Sequence, residues 1–419
     1  MESQRDRVLR RAVSPLLPEP LHPDDCLLLL GKGGGTQYGR EVEAVLRGAR
    51  RSHKADRRRD FDHLRHRHQF VMVPDTASPR ALLPPGSTSR EERPLLRPRS
   101  TSATSWRKVE LGTARVLRFA AIKLMSAPLE LATPAPSSLS RELTRLFPGH
   151  RLGFFLGNPY NYLRPALHVF SKGELVAIGK FADKDELRGR ISREWEMLCS
   201  LKGVRGLAGA LPSPIAYHRG HLGETLLTNA FAAGDPAPSE LTPPVVAWLR
   251  SCQQAQTGDA AKTALVGQLT RELAEVAGSD EFLSSVVGSA IQVLEGTQAP
   301  VTLVHGDFVP WNMLLAGGAL KVFDWEYGCL EGLPNWDETH FVLQVGLILH
   351  RWSRHQFVAA LRRASAQPTL SLDPPQKRAV MVLVVIQLIL RNLGANKHST
   401  ATLFRGVAED LVKEGWLAE

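Results

Sequence analysis

The chain reads as an α+β protein, with a small mixed lobe of strands and one helix, a larger helical lobe behind it, and a basic extension in front. Three observations lead there. From about residue 150 short apolar runs alternate with turn residues, and residues 152–156, 166–170 and 174–182 fit strands of one sheet. Between residues 184 and 201 the apolar side chains Leu187, Ile191, Trp195, Leu198 and Leu201 recur at three- and four-residue steps, the period of one helix face. Beyond residue 237 helical spacing dominates, over 245–256, 260–277, 281–294, 336–353, 354–364, 376–392 and 400–414. The implied organisation is a basic region at 1–73, a Pro-, Ser- and Arg-rich linker or arm at 74–140, the small lobe at 141–235 and the helical lobe at 236–419.

In the front of the chain, residues 5–13 fit a basic helix and 26–30 a buried strand. That strand runs into Gly31-Lys-Gly-Gly-Gly35 and a helix over 40–47. Strand, glycine loop and helix outline a phosphate-binding turn. Neither Gly-x-Gly-x-x-Gly nor Walker spacing is present, so an ordinary turn is the default. Between Arg47 and His68 lie nine Lys or Arg and three Asp, either a solvated face or a surface for an acidic partner. His63, His66 and His68 lack the carboxylate or cysteine that a zinc site would add. Residues 69–73 and 81–83 fit short strands, 107–125 a helix, and Ser138 or Ser140 can cap a helix ending near Phe147.

Composition bounds the class. A chain of 419 residues with 43% hydrophobic content can bury a large core. The net charge of +10 is unevenly placed: residues 1–150 hold 27 Lys and Arg against 16 Asp and Glu, whereas 151–419 hold 25 against 26. The overall pI therefore says nothing about a site in the main body. Cys26, Cys199, Cys252 and Cys329 form no Cys-x-x-Cys pair and read as buried thiols of a reducing cytoplasm. The charged N-terminus has no apolar run of signal type behind it. The longest apolar run, 379–390 with Gln387 inside, has 12 residues. A bilayer needs about 20, so a buried helix is expected and no transmembrane segment.

Two charged residues of the small lobe stand out. Val176, Ile178 and Lys180 share one face of the strand at 174–182. A lysine at the end of an apolar stripe either snorkels to water or meets an anion. On the helix at 184–201, Glu194 falls in the middle of the apolar stripe and Glu196 on the opposite side. An inward carboxylate needs a partner, and Lys180 is the candidate. Residues 224–231 read as the last strand of the lobe.

The densest signal is the stretch from His305 to Glu326. Met313-Leu314-Leu315 and residues 320–323 are apolar runs separated by Gly317-Gly318, which can supply the positive φ angles of a hairpin turn. Asn312 and Asp324 then occupy the same end of the hairpin, and Asp307, five residues before Asn312, arrives there from the incoming loop. Two carboxylates and an amide oxygen are hard ligands suited to Mg²⁺, which takes one or two protein oxygens beside waters and phosphates. Trp311, Trp325, Tyr327 and Trp336 lie nearby with Glu326, Glu331, Asp337 and Glu338. Such a set either receives an amine through cation–π and ionic contacts or fills the core.

The string His305-Gly306-Asp307-x4-Asn312, followed by Asp324, resembles the catalytic core of the aminoglycoside phosphotransferase and choline kinase family, the small-molecule kinases of the protein-kinase-like fold. The resemblance spans roughly residues 150–400 and is strongest at 305–326. It implies a two-lobe kinase-like fold and transfer of the γ-phosphoryl group of ATP (or GTP) to a hydroxyl of an amine, aminosugar, sugar or alcohol. It implies Asp307 as base, Asn312 and Asp324 as Mg²⁺ ligands, and Lys180, paired with Glu194, on the α/β-phosphates. Backbone groups near Asn229 and Ala230 would hold the nucleotide base, and His305 would orient the loop through backbone hydrogen bonds. Trp325 and Glu326 become candidates to line the acceptor cleft, and Asp337 to line or brace it. The turn at 157–161 stands where such folds cover the phosphates but lacks their glycines. Gly306 stands where protein kinases usually carry Arg, and no Ala-Pro-Glu follows, which favours a small-molecule acceptor. The other functional class is a silent nucleotide-binding scaffold, against which stand the intact Lys180, Asp307, Asn312 and Asp324.

Overall fold

The computed structural model describes residues 13, 16, 27–30, 43–44, 66–73, 81–88, 91, 127–133, 135–156, 165–183, 189–204, 206–219, 223–231, 234–367 and 372–418. The glycine loop at 31–35, the basic run up to residue 65 with His63, the helix expected at 107–125 and the turn at 157–161 lie outside them, as do most of the helix expected at 5–13 and Cys26. The chain divides into two compact units, Met1–Cys199 with Pro212–Ala232 and Ser200–Leu211 with Ala233–Glu419.

The first unit is built on a ten-stranded antiparallel sheet. Its strands are β1 (Leu27–Leu30), β2 (Glu43–Ala44), β3 (His66–Val73), β4 (Ala81–Leu83), β5 (Ala127–Thr133), β6 (Arg151–Phe155), β7 (Ala166–Ser171), β8 (Glu174–Asp183), β9 (Pro214–Arg219) and β10 (Gly223–Asn229). They run in the order β2-β1-β5-β3-β4-β6-β7-β8-β10-β9. The segment expected as a linker or arm thus supplies β4 and β5 to the same sheet as the small-lobe strands. The expected helix at 40–47 is replaced at Glu43–Ala44 by pairing to β1, where a ladder partner outweighs local helix propensity. Lys172 and Gly173, at φ 52° and 79°, close the β7–β8 hairpin with the twist that matches its strands.

Apolar residues of both halves of the sheet meet in one core. Phe70, Met72, Leu82, Leu129 and Leu131 pack with Leu152, Phe154, Leu167, Val169 and Leu227, and with Leu139 and Leu143 of helix α1 (Ser138–Leu146). The cap of α1 is Ser137 rather than Ser138 or Ser140: its oxygen accepts the Ser140 N–H at 2.9 Å, which puts Ser138 inside the first turn. Helix α2 (Arg190–Ser200) follows β8 and buries Ile191, Glu194, Met197 and Leu198. Cys199, expected to be buried, is exposed near the end of α2, whereas Cys252 and Cys329 are buried.

The second unit is mainly helical. Its helices are α3 (Pro243–Ser251), α4 (Ala264–Ala277), α5 (Glu281–Leu294), α6 (Trp336–Val345), α7 (Arg354–Ala366), α8 (Pro374–Gly394) and α9 (His398–Lys413). Every residue of α8 from Ala379 to Leu390 is buried, as the apolar run requires, and Gln387 among them accepts the Trp336 indole N–H at 3.2 Å. No helix among the described residues is long and apolar enough to cross a membrane. Lys377 is buried too, its ammonium donating to the Ala364 and Gln367 carbonyls at 2.6 and 2.8 Å and so closing the C-terminus of α7.

Two helical expectations fall short. The helix at 245–256 ends at Ser251, and β12 (Gln253–Asp259) begins, pairing with β13 (Gln298–Val304), which pairs in turn with β16 (Cys329–Gly332). The helix at 336–353 leaves α-geometry at Gly346 for a wider turn ending at Arg351, φ 52°. Gly346 makes that possible, since a Cβ there would meet the Trp352 ring at 2.1 Å.

Candidate active site

The hairpin expected from Gly317-Gly318 is present. Its strands β14 (Met313–Ala316) and β15 (Ala319–Val322) pair Met313 with Val322 and Ala316 with Ala319, the short β11 (Asp235–Pro236) pairs with the other edge of β14, and the two glycines take φ 58° and 77°. One turn of tight helix, Pro310–Asn312, leads into it. The Phe323 N–H donates to the Asn312 carbonyl at 3.0 Å, so the residue after it, Asp324, emerges beside Asn312 at the open end. Asp324 sits at φ 75°, a left-handed conformation that costs a non-glycine residue on the order of 1–2 kcal/mol and is found where function requires it.

The loop before the hairpin is held from three sides. Asp337, in the first turn of α6, accepts the His305 N–H at 2.6 Å and the Gly306 N–H at 2.9 Å. The buried His305 ring donates from Nε2 to the Phe323 carbonyl at 3.0 Å, and its Nδ1 accepts the Asp307 N–H at 3.2 Å. These two bonds specify one neutral tautomer, and burial pushes the imidazole down to about 4. From α8, the Arg391 guanidinium donates to the Gly306 carbonyl at 2.5 Å and stacks 4.0 Å above the Tyr327 ring. Trp248, Phe308, Phe341 and Trp325 form the apolar bed beneath, with His305 edge-on to Trp325 at 4.6 Å.

Gly306 is the tightest point of this loop. It takes φ 76°, and a Cβ would lie 2.4 Å from the Tyr327 carbonyl oxygen. Only glycine combines that backbone with that approach.

The Asp307 carboxylate is 31% exposed and is gripped at both oxygens. Asn312 Nδ2 donates to Oδ2 at 2.9 Å and to the Asp307 carbonyl at 3.0 Å; His340 Nε2 lies 3.2 Å from Oδ1. Burial alone would raise this carboxyl, but the hydrogen bond from His340 and the positive charge of Arg391 outweigh it and hold it at about 2. Burial pushes the Asp337 carboxyl up to about 7, against the pull of its two amide donors and of Arg391.

These positions fit a magnesium ion by the chemistry of the donors. Both hydrogen bonds of the Asn312 amide nitrogen go to Asp307, so its oxygen Oδ1 is the atom left for a cation. Asp324 brings a carboxylate to the same end of the hairpin. No cluster of three or more His, Cys, Asp or Glu suited to a metal occurs among the described residues. A set of one amide and one carboxylate suits an ion that takes its remaining ligands from water and phosphate.

In the first unit, Lys180 on β8 and Glu194 on α2 are brought together as the periodicities require. The ammonium lies 2.6 Å from both carboxylate oxygens; Glu194 is buried, Glu196 exposed, and the Lys180 side chain 24% exposed. At the end of β10 the Asn229 N–H donates to Ser213 O and its side-chain oxygen accepts the Ser213 N–H. The Ala230 N–H donates to Val176 O at 3.0 Å. The N–H groups of Asn229 and Ala230 are therefore engaged within the first unit.

Among the acceptor expectations, the one for Trp325 needs correction. Trp325 is fully buried, its indole N–H given to the Val322 carbonyl at 3.2 Å, and it is part of the bed under His305. Asp337 spends its oxygens on the loop, the bracing one of its two expected roles. Glu326 is buried as well. Conversely, His340 and Arg391 went unnoticed in the sequence. His340 sits one helical step beyond Asp337 on the same face of α6, the one local signal that could have found it; Arg391, at the end of an apolar run, offers none.

Residues 204–367 match the family model of the phosphotransferase enzyme family, a segment that contains Asp307, Asn312, Asp324, Asp337 and His340. No curated protein matches the chain. Similar solved structures include a thermostable mutant aminoglycoside phosphotransferase in ternary complex with ADP and hygromycin B, at 16% identity and TM-score 0.46, covering 67% of this chain and 99% of that one. A mutant aminoglycoside 2'-phosphotransferase with GDP is 13% identical at TM-score 0.40, covering 66% and 97%. An ethanolamine kinase from Plasmodium vivax is 12% identical at TM-score 0.40, covering 64% and 82%.

Proposed function

Residues 204–367 carry the match to the phosphotransferase enzyme family, and from that premise we propose that the chain transfers the γ-phosphoryl group of ATP or GTP to a hydroxyl of a small molecule. The observation that supports this best is the convergence at the open end of one hairpin: a carboxylate held at both oxygens, an amide oxygen and a second carboxylate in a left-handed conformation.

Phosphoryl transfer needs positioning and charge neutralisation more than covalent help. Asp307 is the group that receives the acceptor hydroxyl. At about 2 it is ionised throughout the physiological range and is a weak base, so it aligns the hydroxyl and takes the proton only as the new O–P bond forms. Asn312 and Asp324 would hold Mg²⁺, which when bound neutralises charge on the phosphates. In the first unit, Lys180, kept in place by Glu194, is the cation for the α/β-phosphates. His305 is neutral and spends both nitrogens on backbone, which leaves it no part as a general base.

The test is a screen of ATP and GTP consumption against pooled amines, aminosugars, sugars and alcohols, run beside Asp307→Ala. Turnover with one pool, lost at least 10³-fold in Asp307→Ala while nucleotide affinity stays within a few-fold, is the expected result. Full turnover in Asp307→Ala would show that another residue receives the hydroxyl.

A further inference from the structure

We propose that His340 is a positioning residue for Asp307, locking the plane of its carboxylate from the opposite side to Asn312. This deepens the reading above and rests on it. Asp337 and His340, three residues apart, share a face of α6, and that face reaches the loop twice. Asp337 takes the amides of His305 and Gly306; His340 takes Oδ1 of Asp307, while Asn312 takes Oδ2. With a different donor on each oxygen the carboxylate cannot rotate about its Cβ–Cγ bond without losing one of them.

The imidazole itself shows that packing is not its reason for being there. His340 is 1% exposed, and its Nδ1 is buried without a hydrogen-bond partner. A buried polar atom left unpaired is costly, and a leucine of similar volume would avoid that cost. Because the partner of Nε2 is an ionised carboxylate, which can only accept, the single proton of the neutral ring sits on Nε2, and Nδ1 is left bare. Burial keeps the ring neutral although the Asp307 hydrogen bond favours its charged form, so it acts as a constant donor, not as an acid. The charged and titratable groups around the pair are His305, Asp324, Asp337 and Arg391.

The experiment compares His340→Leu, His340→Gln and Asp307→Asn in the full chain, with Mg²⁺·ATP and water as acceptor, beside thermal unfolding and ¹⁵N-histidine NMR. His340→Leu is expected to lower kcat about ten- to a hundredfold, the cost of a misplaced reacting group, with KM for Mg²⁺·ATP within about twofold and Tm not lowered. His340→Gln, which keeps an N–H donor, regains most of that loss. In the spectra His340 shows protonated Nε2 and bare Nδ1, and Asp307→Asn shifts both signals. Wild-type kcat in His340→Leu overturns the proposal, as does a loss of kcat accompanied by equal changes in KM and a lower Tm, the pattern of simple structural support. If Asp307→Asn keeps wild-type turnover as well, the assignment of Asp307 itself fails. Should water serve too poorly for turnover to be read, the NMR arm decides: His340 signals indifferent to Asp307→Asn overturn the proposal.

Discussion

At Gly306 a single hydrogen atom separates a working loop from a broken one. With φ 76° and the Tyr327 carbonyl 2.4 Å from where a Cβ would stand, Gly306→Ala must push the loop off α6 or twist the chain at 306. The expected cost is about 2–4 kcal/mol, read as a lower denaturant midpoint at unchanged slope, with turnover lost in the fraction that stays folded. In the sequence this glycine argued for a small-molecule acceptor by the absence of arginine. The sterics give it an independent reason, since no side chain fits at all. His305 supports a second prediction at this scale. Its folded pKa of about 4 lies below the ordinary 6.5, so the stability it contributes is complete above pH 6.5 and is lost as pH falls toward 4. On the order of 3 kcal/mol of acid sensitivity is expected over that window. Asp337, raised by burial, acts with the opposite sign, favouring the fold as pH falls from about 7. The comparison that isolates His305 is therefore the difference in unfolding free energy between wild type and His305→Gln across pH 4–7, in which the variant gains stability relative to wild type as pH falls from 6.5 toward 4.

The Lys180–Glu194 pair belongs to the scale of elements, because a strand period and a helix period had to agree for it to form. Glu194→Gln is expected to weaken Mg²⁺·ATP binding about tenfold or more by calorimetry. Lys180 is partly open to water, so the stability lost should stay near 1–3 kcal/mol, below the usual cost of breaking a fully buried pair. A variant that binds nucleotide as well as wild type would separate this pair from phosphate binding. Both partners were legible in the sequence since each sits on an apolar stripe whose period names its face. The β14–β15 hairpin was legible for a similar reason: two apolar runs and a Gly-Gly turn leave one register. By contrast β12 is a run of polar residues, Gln253-Gln-Ala-Gln-Thr, mostly exposed, and it becomes a strand only because β13 pairs with it. His340 was hidden differently, 33 residues from the carboxylate it meets, where no local pattern announces a contact.

For the whole molecule, the front of the chain is not an appendage to the first unit. Phe70, Met72, Leu82, Leu129 and Leu131 share a core with Leu152, Phe154 and Leu167, and β4 pairs directly with β6. Removing residues 1–133 would open the β6 edge and strip one side of that core. The truncated chain is expected to elute as aggregate in gel filtration, with cooperative unfolding lost for the first unit; a monomer melting like the full chain would contradict this. Composition concealed the arrangement, because Pro- and Arg-rich flanks around short strands read as linker until the partner strands are known. In the second unit one imidazole has a wider consequence. His305 touches the residue before Asp324 with one nitrogen and the amide of Asp307 with the other, so loop and ribbon shift only together. On the proposed function, a lineage adapting this scaffold to a new acceptor would find that core nearly immovable, and its freedom to diversify would lie in side chains outside the loop and ribbon.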